Sequence, residues 1–106
     1  MTATITEAEP YDAMLAREAR EVFRDAVNAS PEWDGRRDIG NAVLDLAEAL
    51  RDHSGQVNGI LPAYFPGLAA GPDARARALA WAAETAAEKA AEVTRLISER
   101  REEATS

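Results

Sequence analysis

The chain holds one histidine and no cysteine. His53 is therefore the single imidazole available as a base or a ligand. With Glu48 or Asp52 beside it, it would abstract a proton or help hold a cation. A base needs a nucleophile or a substrate pocket to act on. No Ser–His–Asp arrangement, Gly-rich phosphate loop or nucleotide fingerprint accompanies it. The plainer role is a histidine near a helix C-terminus, favoured by the local dipole, with its ring packed. Carboxylates form two stripes. Asp45, Glu48 and Asp52 lie at i, i+3, i+7, and Glu84, Glu88 and Glu92 at i, i+4, i+8. A carboxylate-bridged metal pair in a bundle needs inward Glu-x-x-His pairs. Position 50, three before His53, is Leu, and both stripes fall off the apolar seams. Solvated acidic faces are expected. No catalytic residue, cofactor or metal ligand is expected, so the chain reads as non-enzymatic.

Basic residues occur as Arg36-Arg37, as Arg75 and Arg77, and as Arg100-Arg101. Nucleic-acid binding draws most of its affinity from neutralised phosphates. A formal charge of −7 opposes that, and no aromatic residues interleave the arginines. Ala and Arg dominate the composition, a bias typical of a high-GC bacterial genome.

Stepping from these side chains to the elements that must carry them, the apolar spacing is helical throughout. Pro10 suits the first position of a helix. From there Leu15, Ala19, Val22, Ala26 and Ala29 recur at 4, 3, 4, 3, a heptad seam. Arg17 and Glu21 make an i,i+4 pair on the outer face. Ser30-Pro31 offers a capping hydroxyl and a proline at the next helix start. The second seam is Ile39, Val43, Leu46, Leu50 and His53. Ser54-Gly55 is expected to end it. The third seam is Leu79, Ala83, Ala86, Ala90, Val93 and Ile97.

The fold class expected is all-α. It is a small antiparallel bundle of three helices, over about 10–29, 31–53 and 73–102, with a fourth short one allowed in the linker. Residues 1–9 are expected to be a flexible acidic tail, and 10–103 a single helical domain. The third helix is long and rich in alanine. It outlasts the first by about 15 Å at 1.5 Å per residue. Val93, Leu96 and Ile97 then need cover from a partner chain, so a homodimer is expected. A short alanine-rich core supplies little transfer energy, which points the same way.

Residues 53–72 hold no Asp, Glu, Lys or Arg. An apolar Gly/Pro linker over 54–72 is expected there, with Pro62 breaking or kinking any helix. Its Tyr64, Phe65 and Leu68 are the composition interface cores favour: aromatics with few charges. Trp81, flanking the alanine seam, is placed to pack against the same segment. The expected interaction residues are therefore Tyr64, Phe65, Leu68, Trp81, Val93, Leu96 and Ile97.

Trp33-Asp34-Gly35 falls between two helical stretches of a small, acidic, Cys-free chain. In this it resembles the WXG100 family of small secreted helical-hairpin proteins. The resemblance implies a dimer exported by a specialised secretion system, with Trp33 and Gly35 as signature positions. The chain departs from that pattern in three ways. Its first helix is short, residues 54–72 interrupt the second arm, and the C-terminal Tyr-x-x-x-Asp/Glu pattern is missing. Tyr64 is followed four residues later by Leu68.

The function expected is a non-enzymatic protein–protein interaction or assembly module that self-associates. Its partner would be a second copy or another protein, with neither nucleic acid nor membrane insertion. Alternatives are an exported WXG100-like protein and a ligand-binding bundle using Trp33, His53 and Tyr64. A DNA-related regulator with a helix-turn-helix in 30–53, or an acidic DNA mimic, completes them. The first ten residues carry neither a basic nor an apolar run, so a cytoplasmic location is expected. Export without a signal peptide stays open.

Overall fold

The computed structural model describes residues 9–58 and 72–105. Among the described residues four helices follow one another: α1 (Tyr11–Asn28), α2 (Ser30–Trp33), α3 (Arg37–Val57) and α4 (Pro72–Thr105). The described residues contain no strand. The fold is an all-α bundle.

α4 is the spine. At 34 residues it is by far the longest helix. α1 and α3 each pack far more extensively on it than on one another. Ion pairs and hydrogen bonds fix the directions. Arg75 near the start of α4 reaches the last carbonyls of α3, and Glu103 near its end pairs with Arg36 at the start of α3. α3 and α4 are thus antiparallel. Asp12 at the start of α1 meets His53 at the end of α3, so these are antiparallel too. α1 and α4 then run parallel.

The core is a seam of small and branched side chains. Ile39, Leu46 and Val93 are its largest wholly buried members. All five positions of the α3 seam are buried, and so are Ala83, Ala86, Ala90, Val93 and Ile97 of α4. On α1 the buried residues are Ala16, Ala19 and Ala26, with Val22 and Phe23 packed partly against the core. Alanine on both α1 and α4 allows the parallel pair to approach closely, as ridges of small residues permit.

The helix boundaries correct three expectations. The second helix expected over 31–53 is split by a turn. Ser30 makes no capping hydrogen bond, and Ala29 alone separates α1 from the one-turn α2. Pro31 lacks the N–H that would continue α1. The chain reverses at Asp34-Gly35, where Gly35 takes φ +90°, a value L side chains rarely adopt. Second, Ser54-Gly55 does not stop α3, which continues to Val57. Its end is held by Arg75, whose guanidinium donates to the carbonyls of Gln56 (3.1 Å) and Val57 (3.0 Å). Residues 54–57 of the expected linker are therefore helix. Third, the last helix continues to Thr105.

The chain covers Val93, Leu96 and Ile97 itself. They are 0%, 8% and 8% exposed and belong to the same core cluster as Ala26, Ile39 and Val43. No partner chain is needed to shield the last turns of α4. The first turns of α3 and all of α2 lie against them, tied by Arg101 to Glu32 (2.7 Å) and Arg36 to Glu103 (2.7 Å).

Candidate functional site

The turn that carries Trp33 is a packing device. The last carbonyls of a helix have no intrahelical partner. Trp33 Nε1 donates to the carbonyl of Ala26 at 3.0 Å and so closes the last turn of α1. Its ring packs on the core and lies against Gly40. Trp33 and Gly35 lie between α1 and α3, and both have structural work there.

The opposite end of the bundle departs from ordinary packing. His53 is 4% exposed and Gln56 7%, both inside the last two turns of α3. His53 Nε2 donates to Asp12 Oδ2 at 3.1 Å. The partner is a residue of α1, and neither Glu48 nor Asp52. The other ring nitrogen, Nδ1, is buried and has no hydrogen-bond partner among the described residues, and the same holds for Gln56 Oε1. A buried unpaired polar atom costs about 1–3 kcal/mol. Two lie three residues apart on one helix face. His53 is not among the residues that line five cavities along the described helices.

Exposed apolar side chains adjoin these residues along the chain. Tyr11, beside Asp12, is 56% exposed, and Val57, beside Gln56, is 48% exposed. Trp81 lies six residues along α4 from Arg75, about 9 Å at 1.5 Å per residue. It is 67% exposed while Ala82 and Ala83 beside it are buried. Trp81 therefore stands out from the alanine seam and presents its ring to solvent. Tyr11 at the start of α1, Val57 at the end of α3 and Trp81 in the first third of α4 are three of the five large exposed apolar residues, Val27 and Leu44 being the others. The uncharged window leaves α3 at Val57. Tyr64, Phe65 and Leu68 belong to that window and lie outside the described residues.

The other candidate groups are engaged or solvated. Both acidic stripes are exposed. Among the described residues no group of three or more His, Asp or Glu side chains is placed to hold a metal. Two of the six candidate arginines bind carboxylates. Arg36 binds Asp38 and Glu103, and Arg101 binds Glu32 through two nitrogens. Each partner responds. Hydrogen bonds from Arg101 hold Glu32 below the usual carboxylate range, and those from Arg36 do the same for Asp38. Arg36 is raised in turn, first by its hydrogen bonds to Asp38.

No described helix is long and apolar enough to cross a membrane. Comparison with family models, with curated proteins and with solved structures finds no match.

Proposed function

We propose that this chain is a non-enzymatic assembly module that self-associates end to end through the Tyr11–Val57–Trp81 pole. The observation that carries this is Trp81, 67% exposed on a bundle whose seam residues are mostly covered, with Tyr11 and Val57 exposed toward the same end. Clustered exposed apolar side chains mark interaction sites on small proteins. Trp and Tyr are the anchors that dominate interface energies. The choice of a second copy follows from charge. Two chains of net −7 repel, and the repulsion is least where they present uncharged sequence. The twenty-residue window without charge begins at this pole.

Light scattering on the eluting protein tests this. The wild type should run with the mass of two chains at high protein concentration and in high salt. Trp81→Glu should run as a single chain with an unchanged helical spectrum. A wild type that stays single at every concentration would remove the proposal.

A further inference from the structure

A second surface lies between α1 and α4, away from the pole. Two adjoining cavities of about 180 and 210 Å³ share Val22 and Thr94 and form one groove. No residue of α3 lines either cavity. The groove has a seven-residue period on both walls. Leu15, Val22 and Ala29 follow one another along α1. Ala87, Thr94 and Arg101 do so along α4, with Ala91 and Ser98 between them. This is the period of a helix–helix seam. α3 fills the equivalent position on the other side of the α1–α4 pair. The open side is where a fourth helix of a bundle would lie.

The α4 wall is made of short side chains. Ala91, Thr94 and Ser98 are exposed, so a visiting helix can come close to the backbone. The charge on the walls selects the visitor. Glu18 and Asp25 line the groove seven residues apart, about 10.5 Å along the helix. Glu18 is exposed and has no ion pair among the described residues. Asp25 meets only the adjacent Arg24, at 3.6 Å, with both side chains more than two-thirds exposed. The only cation lining the groove is Arg101, and it is bound to Glu32. A second copy at −7 meets repulsion here, whereas a basic helix meets two carboxylates at its own heptad spacing.

From these features we infer that the α1–α4 groove binds an amphipathic helix of a different protein. That helix would carry small or medium apolar residues on its seam and Lys or Arg flanking it. This surface is independent of the Trp81 pole. A labelled peptide of three heptads, with Leu and Ala on the seam and Lys at the flanks, is titrated into the full chain and followed by anisotropy. A sister peptide with Glu at the flanks serves as its counterpart. The Lys peptide should bind and the Glu peptide should not, and added salt should weaken the former. Ala91→Arg fills the groove from an exposed position that tolerates a helix-forming residue. It should weaken binding about tenfold or more with an unchanged helical spectrum. Glu18→Lys with Asp25→Lys should reverse the preference between the peptides. Trp81→Glu should leave peptide binding unaltered. Equal binding of both peptides, absence of binding, or full binding by Ala91→Arg would overturn the inference. So would a dimer of the wild type that Ala91→Arg dissolves, since a second copy would then occupy the groove.

Discussion

His53 places polar atoms where the 4-3 pattern calls for hydrocarbon, and Gln56 buries more of them beside it. Only His53 lies on the seam that Ile39, Val43, Leu46 and Leu50 lead into, and Gln56 follows it by three. Proteins break packing rules at sites that serve function. The cost is measurable. Gln56→Leu removes a buried acceptor that has no partner and keeps a similar volume. It should raise the unfolding free energy by about 1–3 kcal/mol in a urea titration. A loss of stability would mean that Gln56 Oε1 is satisfied in solution. At the other end, Trp33→Phe keeps most of the ring but removes the donor to Ala26. It should lower stability by about 1 kcal/mol. His53 could be placed on the apolar seam from spacing alone. Its partner could not, because Asp12 stands 41 residues away and the match depends on how α1 registers against α3.

Among the elements, α3 was the most legible. Its five seam positions are all buried because large branched residues fall on one face with a helical period. Its end was not legible. Ser54-Gly55 is an ordinary stop in an isolated helix, but Arg75, eighteen residues beyond Val57, supplies the capping donors. A tertiary contact replaced a local signal. Leu46, wholly buried at the middle of α3, should cost about 2–5 kcal/mol when truncated to Ala. The start of α3, α2 and the end of α4 are joined by exposed ion pairs, each of small worth. Their pH dependence has a definite sign. Hydrogen bonds from arginine depress Glu32 below its usual 4.5 and Asp38 below its usual 3.8. Arg17 acts likewise on Glu9, and Arg95 on Glu92. A carboxyl depressed in the folded state stabilises above its unfolded value and ceases to as pH falls through the folded one. The melting temperature should therefore hold between about pH 7 and 5 and fall below about pH 4.5. A melting temperature that is flat down to about pH 3 would show that these pairs contribute nothing.

At the scale of the whole molecule, the length mismatch between helices suggested that Val93, Leu96 and Ile97 wait for a partner. α2 and the start of α3 cover them instead, because the Trp33–Gly35 turn folds the chain back onto the end of α4. Of the large apolar residues left exposed, Tyr11, Val57 and Trp81 lie toward the far end, which also holds two buried polar atoms without hydrogen-bond partners among the described residues. The charge-free window was visible from composition and begins at this pole. The exposure of Trp81 was not visible, since its place beside an alanine seam is equally consistent with burial. Truncating Val93, Leu96 or Ile97 would damage the core whether or not the chain associates, so association must be probed at Trp81. The measurement that does so most directly is the absolute mass of the wild type and of Trp81→Glu by light scattering, over a range of concentrations in high salt. The account predicts two chains for the wild type and one for the variant. A wild type that remains one chain throughout, or a variant that still forms two, would contradict it.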